Sequence, residues 1–268
     1  MKQHFIPEFL LKNWCGDDGR LERYTSPIDG KIVSRRVFPS ATGFQKDIYT
    51  LDDVATEHRH HIELEFFQKV DSLAAKTFYK ILNREIESMS DDDIVNWARF
   101  VYSLMHRVPQ SIEMWKEKWR STQLSDGSFL NDSEAVEMAK QNLPFFIESE
   151  RTVLFIAQMD WHVVRTDSCR FQLLVSEQPI VMTNGLMRED GHIALPISPT
   201  EIFLAIRTDS NFMTKLKRQK LEEVVRNLNR QVVERASHFV AASDKSQERF
   251  IVNRFGKSKL DTVQSIFG

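Results

Sequence analysis

The spacing of apolar residues switches from helical to strand-like near residue 158 of this chain, and that switch restricts the possible folds more than any other feature. From about residue 56 to 158, apolar side chains recur at steps of three and four. Ile62, Phe66, Phe67, Val70, Leu73, Ala74, Phe78, Ile81 and Leu82 predict one long amphipathic helix over about 56–83. The stretch SMSDDDIVNWARFVYSLMHRVP predicts a second, with Ser90 as N-cap, three aspartates at the positive end of the dipole and Pro109 as a stop. SIEMWKEKWRS adds another, and a further helix starts near Asp132 with a kink or break at Pro144. Beyond residue 158 the pattern becomes short β-branched and aromatic runs divided by turn residues: MDWHVVRT, CRFQLLVS, PIVMTN, GHIALPIS and EIFLAIRT.

Ahead of the helices, Arg20–Thr25 and Lys31–Phe38 flank the turn-rich SPIDG, which predicts a β-hairpin. After the strands, the run from Asn211 to Ser237 returns to helical spacing. Met213, Leu216, Leu221, Val224, Val225, Leu228 and Val232 form its buried stripe. HFVAAS and RFIVNRF are candidates for closing strands. Helices and strands are segregated, so the expected class is α+β: an N-terminal hairpin, a central helical region, and a C-terminal, mostly antiparallel sheet carrying a packed long helix. One compact domain over 1–268 is expected, with subregions 1–55, 56–158 and 159–268.

Charge narrows the partners. Thirty-six basic and 38 acidic side chains leave a formal charge of −2, so nucleic acid or a nucleotide would have to bind at a local patch rather than through a global field. No apolar segment approaches the roughly 18 residues of a membrane span, and MKQHF lacks a signal-type apolar region. Cys15 and Cys169 match no zinc or redox spacing. A cytoplasmic protein is expected, with a protein partner or a homo-oligomer both open.

Walker, GxGxxG, GxSxG, HExxH and paired CxxC motifs are all missing from the sequence, which removes the usual support for nucleotide, dinucleotide, serine-hydrolase and zincin chemistry. Four weaker constellations remain. In EHRHHIELE, His58, His61 and Glu65 would share one helical face and could hold a divalent metal, although a solvated helix start is the simpler explanation. In LMHRVP, His106 and Arg107 either cap a helix C-terminus or, for Arg107, bind a carboxylate or phosphate in bidentate fashion. Ser176, Glu177 and Pro179, with Asn184, Ser198 and Pro199, lie at strand ends, where sites are often built and where turns also need such residues. Lys215, Lys217, Arg218 and Lys220 form a basic cluster that is either a solvated face or a phosphate contact.

Taken in order, QHFIPEFLLKNW, RLERYT, FQKDIYTL, IELEFFQKVDSLAAK, HRVP, LLVSEQPIVMTN and ALPISPTEIFLAI resemble the domain-of-unknown-function 4238 family. His4, Pro7 and Leu11 match its His-x-x-Pro-x-x-x-Leu opening, with Trp14 where an aromatic is usual. Its Ser-Asp-Asn-Pro-like turn corresponds to Ser176, Glu177, Gln178 and Pro179, longer by one methylene at both polar positions. The resemblance carries no assigned activity. It implies a shared α+β fold and shared polar positions: His4, Arg107, Glu177 and a carboxylate among Glu63, Glu65 and Asp71.

Two functions are consistent with these residues. One is a hydrolase acting on a phosphate-containing substrate, by analogy a nuclease in a bacterial defence or toxin-like setting. His4 would shuttle a proton, Glu177 and Glu65 would act as base or metal ligands, Arg107 would stabilise developing charge, and Lys215, Arg218, Ser176 and Asn184 would hold substrate. The other is a non-catalytic binding or regulatory module whose polar residues form a structural network. An accessible cleft is required by the first; occlusion of the same residues is required by the second.

Overall fold

Ser90 and Asp93 show how closely local sequence sets the helical part. The Ser90 hydroxyl accepts from the Asp93 N–H, the Asp93 carboxylate accepts from the Ser90 N–H, and the Asp91–His106 helix follows from this reciprocal cap. Its inner face buries Trp97, Phe100, Val101 and Leu104, and Trp97 stacks on Phe78 of the Gln68–Leu82 helix at 5.6 Å. Asn131 and Glu134 form the same kind of box before Asp132–Gln141. The computed structural model describes residues 1–28, 30–183 and 185–258.

The chain sorts into two units. One comprises Met1–Phe5 and Phe44–Ala157; the other comprises Ile6–Gly43 and the chain from Gln158 onward. The first unit is helical: Gln68–Leu82, Asp91–His106, Pro109–Arg120, Asp132–Gln141, Leu143–Ile147 and Glu150–Ala157. Pro144 falls in the first turn of a new helix rather than kinking an old one. A two-stranded antiparallel sheet, Lys2–His4 against Phe44–Lys46, brings the N-terminus into this unit.

The long helix expected over 56–83 is interrupted. Thr56–His58 is an isolated 3-10 turn, residues 59 and 60 form a turn, and Ile62–Phe67 is π-helical before regular α-helix resumes at Gln68. The wider turn changes the helical phase. Glu63 is buried, while its neighbour Leu64 stands 49% exposed.

The second unit is built on two four-stranded antiparallel sheets. One runs Lys31–Val37, Leu21–Ile28, Val240–Ala242, Val175–Ser176; the other runs Asp160–Arg165, Glu201–Ile206, His192–Ser198, Val181–Met182. The Leu221–Glu234 helix packs Val224, Val225, Leu228, Val232 and Val233 into a core with Tyr24, Leu174, Ala194, Leu204 and Val240. At the start of the unit the Ile6 N–H donates to the Gly43 carbonyl at 3.0 Å. A Cβ at Gly43 would lie 2.8 Å from the Ile6 oxygen and the residue has φ +68°, so only glycine fits without strain.

Three expected elements come out differently. The basic helix is two: Phe212–Arg218 and Leu221–Glu234, because Gln219 and Lys220 are extended. Of CRFQLLVS only Val175–Ser176 is strand, since side chains take the place of a ladder. Asn229 accepts from the Leu174 N–H at 2.9 Å and donates to the Gln172 carbonyl at 2.7 Å, and Trp14 Nε1 donates to the Leu173 carbonyl at 2.8 Å. RFIVNRF begins as the Glu248–Val252 helix; Ile251 and Phe255, four apart, both face the core.

Candidate functional site

Arg107 ends the Asp91–His106 helix as its C-cap, so its side chain projects back into the first unit. It is fully buried. Nη1 and Nη2 donate to the two Asp71 carboxylate oxygens at 2.7 and 3.1 Å, a bidentate pair; Nε donates to the Phe5 carbonyl at 2.9 Å and Nη2 to the His4 carbonyl at 3.3 Å. The guanidinium also sits 5.1 Å from the Phe67 ring centroid. Burial works against its charge, but the attraction of Asp71 outweighs that and holds the pKa above the ordinary arginine value.

Neighbouring groups extend this cluster. The buried Tyr49 hydroxyl donates to the Arg107 carbonyl at 2.6 Å, and the Gln3 side chain accepts from the Tyr49 N–H at 2.7 Å while donating to Thr50 Oγ1 at 3.3 Å. Glu63, turned inward by the π-helical stretch, has one buried carboxylate oxygen without a hydrogen-bond partner. Burial raises its pKa to about 7, against the lowering effect of Arg107 and with a further upward push from Asp71.

Glu177 forms a second polar centre, in the other unit. It too is fully buried. Its carboxylate accepts from the N–H groups of Ser237, His238 and Phe239 and from the Ser237 hydroxyl. It therefore holds the loop leading into the Val240–Ala242 strand. Arg235 supports the same corner, donating to the Gln178 and Ile180 carbonyls at 3.2 and 2.7 Å; burial pushes its pKa down to about 10 while Glu177 pulls it up. Ser176 Oγ donates to the Val232 carbonyl at 3.0 Å and accepts from the Gln178 N–H at 3.2 Å.

His4 and Arg107 are thus brought together through the His4 carbonyl, with the imidazole packed against Phe44 at 5.5 Å. Arg107 and Glu177 belong to different units. Glu65 is exposed on the π-helical stretch, next but one to the buried Glu63. His58, His61 and Glu65 would share a face only on a continuous helix, which residues 59 and 60 interrupt; the His61 Nδ1–H instead donates to the His58 carbonyl at 2.7 Å. Among the described residues no group of three or more His, Cys, Asp or Glu side chains is placed to hold a metal ion. Lys215 and Arg218 are exposed on the Phe212–Arg218 helix, and Lys215 borders a surface hollow with Arg188, Glu189, Asp190 and Asn211. Asn184 lies outside the described residues.

The first unit also contains a cavity of about 540 Å³, lined by Tyr102, His106, Trp115, Phe145, Phe146, Glu148, Ser149 and Glu150. His106 was legible as a helix-end histidine, but its aromatic company was not. Trp115 and Phe146 come from separate helices and stack at 4.1 Å. The aromatic doublet in LPFFI, which leaves Phe145 75% exposed, is the one local signal that pointed here.

A family model described as "Protein of unknown function (DUF4238)" matches residues 2–246, and the chain belongs to that family. No curated protein and no solved structure matches it. Among the described residues no helix is long and apolar enough to cross a membrane.

Proposed function

We propose, for this member of the 4238 family, a non-catalytic binding module in which the polar centres around Arg107 and Glu177 hold the fold. What supports this reading is the occlusion of both residues: each has 0% exposure, Arg107 donates to Asp71 and to backbone carbonyls, and Glu177 accepts from backbone N–H groups and the Ser237 hydroxyl. A guanidinium already paired in bidentate fashion has no fork left for a phosphate. The unpaired Cys15 and Cys169 fit a reducing cytoplasm.

The hydrolase reading, with a nucleic acid or nucleotide as substrate, has one observation in its favour. Glu63 carries a carboxyl raised to about 7 beside a cation, which suits general acid–base work. The deciding experiment pairs unfolding with turnover. Arg107→Lys, Glu177→Gln and His4→Ala are compared with the wild type by denaturant unfolding, and the wild type is assayed against single- and double-stranded nucleic acid, nucleotides and a phosphomonoester, with Mg²⁺ and with Mn²⁺. The binding module predicts lower stability for the Arg107 and Glu177 variants and no turnover. Turnover that Glu63→Gln or His4→Ala abolishes without loss of stability would establish the hydrolase.

A further inference from the structure

We propose that the aromatic cavity of the first unit is a binding site for a small organic cation, specifically a quaternary ammonium group. This rests on the binding-module reading. Four aromatic rings and one imidazole line a space of about 540 Å³, within the roughly 300–1,000 Å³ range of small-ligand sites. Trp115 and Phe146 lie nearly parallel at 4.1 Å and 18°, whereas Tyr102 meets His106 edge-on at 4.6 Å and 82°. The electron-rich face of an aromatic ring attracts cations. Trp115 is already taken up within the chain, by Phe146 stacked at 4.1 Å and by Lys118 Nζ at 4.8 Å from its centroid, so the rings that would meet a ligand cation are Tyr102, Phe145 and Phe146.

Charge points the same way. The acidic lining residues are Glu148 and Glu150, both exposed, and the lining contains no lysine or arginine. His106 does not oppose a cation, because burial holds its pKa down to about 4 and leaves the imidazole neutral at neutral pH. A simple alkane would gain from the rings but not from the two carboxylates. An anion would meet both carboxylates with no cation among the lining groups. A quaternary ammonium group has low hydration and a wide apolar surface, so it gains from both.

Choline, a quaternary ammonium group on a short neutral chain, is the natural probe.

The experiment titrates the full chain with choline and with its neutral carbon isostere 3,3-dimethyl-1-butanol, by calorimetry and by ligand-observed NMR. Saturable choline binding is expected, with the isostere weaker by about tenfold or more. Tyr102→Leu should abolish the difference. Since that change could disturb packing, Glu148→Gln/Glu150→Gln, both on the surface, provides the second variant: it should weaken choline severalfold and leave the isostere unchanged. A trimethyl-lysine peptide distinguishes a free small molecule from a modified side chain as the source of the cation. Equal binding of choline and isostere, or no saturable choline binding, overturns the proposal. If choline fails to bind and no hydrolysis is found, the cation assignment falls while the binding-module reading stands; choline binding together with turnover leaves the site intact and removes that reading.

Discussion

Arg107 and Glu177 are both fully buried charges, yet the chain accommodates them by opposite means. Arg107 is met by a full counter-charge, Asp71, together with two backbone carbonyls from residues 4 and 5. Glu177 is met by N–H dipoles from three successive residues, 237–239. A guanidinium donates in a plane and needs a matching carboxylate edge, whereas a carboxylate can be satisfied by a concave run of backbone N–H groups. The difference shows in what is left over. The Arg107 cluster gathers a second carboxyl, Glu63, whose charge Arg107 and Asp71 push in opposite directions; the Glu177 corner is closed by Arg235 donating to carbonyls.

The largest test of this contrast is removal of the cation. Arg107→Met should lower unfolding free energy by about 3–5 kcal/mol because Asp71 and two carbonyls lose their donor, read by chemical denaturation with circular dichroism. Arg107→Met/Asp71→Leu should recover part of the loss, as expected where an unpaired partner, rather than a missing attraction, dominates. Failure of the double variant to recover anything would mean that the carbonyl contacts carry the cost.

Glu177→Gln is expected to cost less, about 1–3 kcal/mol. The amide keeps one acceptor oxygen, but its NH2 must face a backbone N–H where a carboxylate oxygen stood. Hydrogen exchange at residues 237–239 should quicken specifically in this variant, and unchanged protection there would argue against Glu177 as the holder of that loop.

Glu63→Gln is the smallest and most pH-dependent change. Because the folded carboxyl is raised from 4.5 to about 7, its protonated form favours the folded state. That contribution is complete below about pH 4.5, is lost as pH rises towards 7, and stays lost above. Glu63→Gln should therefore flatten this part of the stability profile and raise stability at pH 8 by about 1–2 kcal/mol. His106 works with the opposite sign: its pKa falls from 6.5 to about 4 through burial, so the stability it contributes is present above 6.5 and disappears as pH drops. A profile with Glu63→Gln parallel to the wild type would show that Glu63 is not the group held near neutrality.

Much of the fold was readable from residue pattern. Ser90, Pro109 and the β-branched runs are local signals, and each sits at an element boundary or inside a strand. Elements failed where long-range partners replaced local ones. FQLL lacks a strand ladder because Asn229 and Trp14, far away in sequence, take its backbone groups. The same holds for the polar residues. Arg107 was identifiable as a bidentate donor at a helix end, but that its carboxylate would be Asp71, rather than a ligand, depends on the adjacent packing of two helices.

By itself, then, the sequence determined the α+β class and the Ser90 helix cap, while the hairpin expected to turn over SPIDG runs as strand through Ile28. Tertiary structure decided that residues 1–5 join the helical unit while 6–43 join the sheets, that Glu63 rather than Glu65 turns inward, and that the His4 carbonyl serves the Arg107 cluster. Such choices rest on contacts between segments tens of residues apart, where burial and available partners, not local spacing, set the lowest free energy.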